Sequence, residues 1–495
     1  MTTLVLDPPP RGVYEQTAMR TLTRLFLCVL CASAANFYST LAAPRPNIVF
    51  IVADDLGYGE LSCQSPPDYD LSTPRIDSIA RNGVRFTSGY VTAPVCSPSR
   101  AGFMTGRYQQ RFGHELNAVE AQSDDPRIGL PLSQHTMADY LHAAGYATGV
   151  MGKWHLGAHP PFHPLKRGFD EFYGFLREGH YYFPQHHDSA DVVTHFRERE
   201  PQYDRLNPIM RGTDEISEPQ YLTRAITREA VSFIGRHKGG PFFLYVPYNA
   251  VHSPMMAPRS GPYSEQYKNI KDDHRRVFAA MLAALDQGVG EILDELRRED
   301  LEQNTLLIFL SDNGGPTKEL TSSNLPLRGG KGQLLEGGIR IPFMMQWPGH
   351  VPAGKVDERP VISLDVLPTA LAAASVSPPA DAKLDGVNLL PFLSDTPERA
   401  PHEALFWRYG RSSAIRRGNY KLLHEAARPG GGKGKKGKAD GQAVAGSQLY
   451  DLSKDISESS NLAAGRPDLV EQLDAELRRW NSELIEPLWG PNGVR

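Results

Sequence analysis

Cysteine is scarce in this chain, with four among 495 residues, and two of them, Cys28 and Cys31, fall within the first 43 positions. Removal of a leader would leave only Cys63 and Cys96, enough for one disulfide and no more. Charge of one sign is lacking as well. The 53 basic and 57 acidic residues give a formal net charge of -4, which provides no global footprint for nucleic acid or an anionic membrane. A run long enough to span a bilayer is also missing from the N-terminus. The uncharged stretch from Leu25 to Ala35 has 11 residues, where a spanning helix needs about 20. Arg20 and Arg24 precede it and the small residues Ala42 and Ala43 follow it, which is the pattern of an export signal cleaved near Ala43, with Met19 as an alternative start. The expected location is therefore periplasmic or secreted, without an integral membrane span. No internal repeat is evident.

What is present is ordinary globular material, 40% apolar and 22% charged, in a chain long enough for roughly two to four domains. Asn47 to Ala53, Ala147 to Met151, Phe242 to Val246 and Thr305 to Leu310 read as buried strands bounded by turn residues. Arg275 to Arg298 carries Val277, Met281, Leu285, Val289, Ile292 and Leu296 at helical spacing. Strands alternating with helices predict an α/β fold, a large mixed β-sheet sandwiched by helices. After the Pro/Ala/Asp-rich stretch at 378–385, Ala404 to Trp407, Ser413 to Arg416, Tyr420 to His424 and Gln448 to Leu452 read as a smaller antiparallel sheet. A helix with Leu469, Leu473, Leu477 and Trp480 on one face closes the chain. The expected divisions are a signal peptide with an N-terminal extension at 1–43, a catalytic domain at 44–377 and a C-terminal subdomain at 378–495. A Gly/Lys-rich insertion at 429–446 has almost nothing to bury and reads as a mobile loop.

In sheets of this kind, ligands bind where strands stop at their carboxyl ends. Asp54 and Asp55 follow the first strand, Lys153 and His155 the second, His252 lies just past the third, and Asp312 and Asn313 follow the fourth. Taken singly, the Asp pair and the Asp-Asn pair are ordinary turn or capping residues. Three carboxylates brought into one low-dielectric crevice would repel each other unless a cation neutralised them. With the Asn313 amide they form an all-oxygen set suited to a hard ion, calcium first and magnesium second, and not to zinc.

Cys96 stands in Pro94-Val95-Cys96-Ser97-Pro98-Ser99-Arg100-Ala101-Gly102-Phe103-Met104-Thr105-Gly106-Arg107. Pro98 and Gly106 frame a short helix, which places Cys96 at an anion-favouring N-terminus. By itself Cys96 reads as a buried structural cysteine, as half of a disulfide with Cys63, or as a thiolate activated by the helix end and Arg100.

This stretch resembles the signature of the formylglycine-dependent (type I) sulfatases, of the alkaline-phosphatase-like superfamily: Cys-x-Pro-Ser/Ala-Arg followed by Thr-Gly-Arg. Further blocks are similar and in family order: Asp54-Asp55, Gly152-Lys153-Trp154-His155-Leu156-Gly157, His252-Ser253-Pro254, Ser311-Asp312-Asn313-Gly314-Gly315 and Arg328-Gly329-Gly330-Lys331-Gly332. The closing Leu449-Tyr450-Asp451-Leu452 resembles the family's last strand region, whereas the Gly/Lys insertion departs from it.

The resemblance implies a sulfuric ester hydrolase in which a maturation enzyme oxidises Cys96 to Cα-formylglycine. Asp54, Asp55, residue 96, Asp312 and Asn313 would hold one metal ion. One hydroxyl of the hydrated aldehyde would attack sulfur, and deprotonating the other would expel sulfate from the resulting ester. Arg100 and Lys153 would hold the residue 96 hydroxyls and the sulfate, His155 would be the base for that collapse, and His252 with Lys331 would protonate the leaving alcohol. Sulfated carbohydrate is the implied substrate class. Two other readings remain: a phosphonate monoester or phosphodiester hydrolase of the same superfamily, and an inactive sulfatase-like binding protein. Trp154 is expected to pack, and His114, His180, His186 and His187 read as structural residues that could also line the pocket.

Overall fold

Strand β1 (Asn47–Ala53) is a continuous apolar run, and all seven of its residues are buried. Such a run suits a strand covered on both faces. Its side chains alternate accordingly: Val49, Ile51 and Ala53 enter one core, and Ile48, Phe50 and Val52 the other. The computed structural model describes residues 45–65, 69–184, 190–193, 206–393, 399–425, 446–490 and 493–494, with isolated positions 1, 3, 4 and 7. The expected export signal, nearly all of the 429–446 insertion, His186 and His187 lie outside the described residues.

Strands β2 (Val84–Phe86), β3 (Ala147–Lys153), β4 (Glu171–Phe175), β5 (Met210–Arg211), β6 (Asp214–Glu215), β7 (Phe242–Pro247), β8 (Thr305–Ser311), β9 (Phe343–Gln346) and β10 (Lys355–Asp357) join β1 in a ten-stranded sheet. Its order is β10-β2-β9-β8-β1-β7-β3-β4-β5-β6. The five central strands, β8 through β4, run parallel, and β9 and β5 flank them antiparallel. This is the mixed sheet expected from the sequence. Helices α1 (Pro74–Arg81), α4 (Leu222–His237) and α5 (Asp273–Arg298) cover one face, while α2 (Cys96–Thr105), α3 (Met137–Ala143) and α6 (Val366–Ala373) cover the other. The six apolar residues of the α5 stripe are all buried. Asp272 caps its start by accepting from the Arg275 amide at 2.7 Å, and Arg297 and Arg298 occupy its last turn, where cations complement the helix dipole.

Strand β3 runs two residues further than expected. Gly152 and Gly174 face each other in the register, and a Cβ on Gly174 would lie 1.9 Å from the Gly152 carbonyl oxygen. Only glycines let the two backbones stay paired there, and the pairing carries Lys153 to the strand's last position.

Strands β11 (Ala404–Tyr409), β12 (Ser412–Arg417), β13 (Tyr420–His424) and β14 (Gln448–Asp451) form the separate antiparallel sheet, in that order. Helix α7 (Pro467–Ser482) buries Leu473, Leu477 and Trp480 against it. That core also includes Tyr90, Ile339, Ile362 and Leu364 from the larger part, and Trp407 donates to the Val91 carbonyl at 2.7 Å. Arg45–Arg495 form one compact unit. Among the described residues, no helix is long and apolar enough to cross a membrane.

Candidate active site

Register brings the acids together. Ala53 pairs with Ser311, so the residues that follow them, Asp54 and Asp312, emerge side by side. The Asp312 amide donates to the Ala53 carbonyl at 3.1 Å, and the Asp54 amide to the Ala250 carbonyl at 2.9 Å, which draws in the loop bearing His252. Asp55 adopts a positive φ of 62°, a conformation Asp tolerates better than most residues. Asp54, Asp55, Asp312 and Asn313 are all buried.

Three cations answer the three carboxylates. Lys153 Nζ lies 2.6 Å from Asp54 Oδ2. Arg100 donates to Asp312 Oδ2 from Nη2 at 2.7 Å and Nε at 3.0 Å, and to the Lys153 carbonyl from Nη1 at 3.2 Å. Lys331 Nζ lies 2.7 Å from Asp55 Oδ1. Burial disfavours the charged carboxylates, but Lys153, His252 and Arg100 together outweigh it at Asp54, and Lys331 with His252 at Asp55, so both acids stay below their ordinary range. Burial likewise opposes charge on Lys331, yet Asp55 holds it well above the usual lysine value. The floor and the mouth differ: the side chains of Arg100 and Lys153 are fully buried, while those of His252 and Lys331 are 12% and 20% exposed.

Cys96 is the first residue of α2, and its thiol lies 3.6 Å from Asp54 Oδ1. Burial pushes that thiol up to about 12, against the pull of Lys153. Cys63 and Cys96 are both free, so they form no bridge. One ligand atom each from Asp54, Asp55, Cys96 and His252 all lie within 4.8 Å of one another. Asn313 donates from Nδ2 to Asp55 at 2.7 Å, and its Oδ1 is buried without a partner. An orphaned carbonyl oxygen beside clustered carboxylates fits a hard divalent cation. His252 joins this grouping because Nδ1 is taken up at 2.6 Å by the Ser253 carbonyl, leaving Nε2 3.6 Å from Asp55 Oδ2.

His155 is buried, and burial followed by Lys153 and Arg100 drives its pKa well down. Nε2 lies 3.2 Å from the Ala118 carbonyl and Nδ1 has no partner. A carbonyl only accepts, so Nε2 carries the hydrogen and Nδ1 keeps a free lone pair. Trp154 packs, with Nε1 donating to the Phe162 carbonyl at 2.9 Å. Two residues at the site carry no sequence pattern that would single them out. Tyr182 donates to the carbonyls of Asn249 at 2.6 Å and His252 at 2.9 Å, and His114 touches Ser97 beside the helix start.

Residues 46–376 match the sulfatase family, and residues 330–483 match the N-sulphoglucosamine sulphohydrolase C-terminal family. The chain belongs to the sulfatase family. Mouse N-acetylgalactosamine-6-sulfatase is 34% identical over 79% of this chain and 74% of its own length. Human arylsulfatase A is 34% identical over 88% and 87%. The crystal structure of Ps i-CgsB superposes with a TM-score of 0.78 at 35% identity, covering 90% of this chain and 94% of that one. The sulfatase is thus a sulfuric ester hydrolase. It shares the fold alone with a phosphonate monoester hydrolase of Agrobacterium radiobacter, at a TM-score of 0.62 and 20% identity.

Proposed function

We propose that this sulfatase removes sulfate from sulfated carbohydrate, with residue 96 acting as formylglycine beside a bound calcium ion, magnesium being the second choice. The observation that carries this is the placement of Cys96 at a buried helix N-terminus, 3.6 Å from one of three clustered carboxylates faced by three fixed cations. The substrate class is supported by relatives such as N-acetylgalactosamine-6-sulfatase and by Ps i-CgsB, whose structure is also known with k-i-k-neocarrahexaose. The leader at 1–43 supports export, the oxidation of Cys96 requires a maturation enzyme, and 378–495 serves as the C-terminal subdomain.

Asp54, Asp55, Asp312, Asn313 and residue 96 would hold the cation, with His252 close by. When bound, the cation supplies positive charge that the buried acids and an anionic sulfate both require. Residue 96 in its hydrated aldehyde form supplies one hydroxyl for attack on sulfur and a second whose deprotonation frees the sulfate. On the buried floor, Arg100 and Lys153 orient these hydroxyls and the sulfate oxygens. At the mouth, Lys331 and His252 meet the leaving alcohol: His252, whose Nδ1 hydrogen goes to the Ser253 carbonyl, would give the alcohol an Nε2 proton from its imidazolium form, with charged Lys331 as partner. His155 offers its unpartnered Nδ1 as the base for the second hydroxyl.

Mass spectrometry of the peptide containing residue 96 tests the nucleophile, with the aldehyde or its hydrate expected in active protein. Rates on aryl sulfate, aryl phosphate and aryl phosphonate test the ester class. Faster phosphonate cleavage would overturn the sulfatase reading, and a panel of sulfated oligosaccharides that all keep their sulfate would overturn the carbohydrate reading.

A further inference from the structure

One loop, His114–Ala118, bonds both to the residue after Cys96 and to His155. The Ser97 hydroxyl donates to the His155 carbonyl at 2.6 Å and lies 2.7 Å from His114 Nε2. The Ser97 amide donates to Asn117 Oδ1 at 2.9 Å, and the His155 ring reaches the Ala118 carbonyl. Giving the single Ser97 hydroxyl hydrogen to the nearer acceptor, the His155 carbonyl, assigns His114 Nε2 as the donor to Ser97, with the Gly129 backbone also beside the His114 ring. His114 is buried and neutral, burial having pushed it down to about 3. Its contact with the Ser97 hydroxyl places it to orient that side chain.

The loop is in turn held by the end of the chain. Trp489 meets the His114 ring edge-on at 4.6 Å, and Ala118, Ile128 and Trp489 share a small apolar core. The Leu488 amide donates to the Gly113 carbonyl at 2.9 Å, and the Ile485 amide to the Gln110 carbonyl at 3.3 Å. Gly113 has a φ of 73°, and a Cβ there would lie 2.8 Å from Leu488 Cγ, so the segment sits directly on the loop backbone. Arg408 adds a clamp, donating from Nε to Glu115 at 3.1 Å and from Nη2 to the Ile485 carbonyl at 2.6 Å. Residues 485–490 lie beyond the matched family regions, which end at 376 and 483.

We propose that His114 is a positioning residue for hydrolysis, acting through Ser97 on the turn that bears residue 96, and that the segment 485–490 locks it in place through Trp489. This rests on residue 96 being the nucleophile. Misplacing a reacting atom by about 1 Å costs about 10²-fold in rate, and the hydrogen bond from His114 fixes the immediate neighbour of that atom. No other donor to the Ser97 hydroxyl accompanies it among the described contacts.

The test is steady-state hydrolysis of a nitrophenyl sulfate by His114→Phe, which keeps a ring against Trp489 and removes the donor, and by His114→Gln, which restores one. Aldehyde content at residue 96 is measured in every variant by hydrazide labelling. For His114→Phe the expected result is a kcat lower by about 10²-fold with KM within about twofold and unchanged aldehyde content. His114→Gln should recover most of that loss, and Trp489→Ala should fall in between. Adding Ser97→Ala to His114→Phe should cost less than the two single losses combined, because the pair shares one hydrogen bond while Ser97 also bonds the His155 carbonyl. Should His114→Phe not fold, Ser97→Ala, which removes the acceptor of that bond and the bond to the His155 carbonyl as well, should lose at least as much kcat with aldehyde content unchanged. Hydrogen exchange at the Ser97 amide, followed by mass spectrometry, should quicken in His114→Phe with no substrate present. A wild-type kcat in aldehyde-bearing His114→Phe overturns the proposal, as does a loss explained by missing aldehyde, which would place His114 in maturation. Absence of aldehyde from wild-type protein would instead remove the nucleophile reading itself.

Discussion

Lys331 Nζ lies 2.7 Å from Asp55 Oδ1 and 2.8 Å from Asp55 Oδ2, joining two residues 276 positions apart across the mouth of the site. The Lys331 amide donates to the Gly315 carbonyl at 3.4 Å, and the next residue, Gly332, donates to the Pro94 carbonyl at 2.8 Å. The lysine is thus pinned between the Asp312–Gly315 turn and the segment leading into Cys96. Replacing it with Ala should lower kcat/KM on an aryl sulfate by about 10²–10³-fold, the usual cost of losing one preorganised charge partner. Steady-state kinetics decide this, and a loss under threefold would remove Lys331 from the leaving-group side.

Stripping divalent ions by dialysis against a chelator should abolish hydrolysis, and calcium should restore it. Asn313→Ala removes the unpartnered Oδ1 and should weaken calcium binding by at least about 10-fold, comparable to losses seen when metal-site support is removed. Calorimetric titration of the metal-free protein reads this directly. Equal affinity in both proteins would take Asn313 out of the ligand set.

Lys421 is fully buried between Glu336 and Glu458, with Nζ 2.9 Å from each. Tyr90 and Arg340 complete the surroundings of Glu336 at 2.6 Å and 3.3 Å. Lys421→Met would leave two buried carboxylates short of a counter-charge, and unfolding stability should fall by about 3–5 kcal/mol. Denaturant melts measure the change. A loss below 1 kcal/mol, on the order of an exposed pair, would show the network contributes little.

His402 Nε2 lies 2.8 Å and 2.9 Å from the two oxygens of buried Asp365. Burial lowers the His402 pKa, but the Asp365 carboxylate outweighs it and the folded value is raised. The pair's contribution is therefore fully present below the unfolded histidine value, near ~6.5, and is lost as pH rises through the raised folded value. His402→Gln should flatten this part of the stability profile. Denaturant melts from pH 6 upward that stay parallel for both proteins would contradict the expectation.

The strands that build the site were legible because buried parallel strands are uninterrupted apolar runs, and β1, β7 and β8 lie within a residue of the ranges read from sequence. The end of β3 was not, because glycine ordinarily breaks a strand and the close approach of Gly152 to Gly174 is visible only once both strands are paired. The cation partners were legible as residue types in recognisable blocks. His114 was not, since it lies outside those blocks and gains its role from contacts with Ser97 and Trp489.

By itself, the sequence determined the local chemistry: which strands end in acids, which helix begins with Cys96, and which blocks carry Arg100, Lys153, His252 and Lys331. Only the tertiary structure decided the partnerships. Lys153 rather than Lys331 meets Asp54, Arg100 takes Asp312, and Asn313 keeps one oxygen free. Coulomb and hydrogen-bond energies depend on separation and burial, and both are set by strand register and packing between segments far apart in the chain.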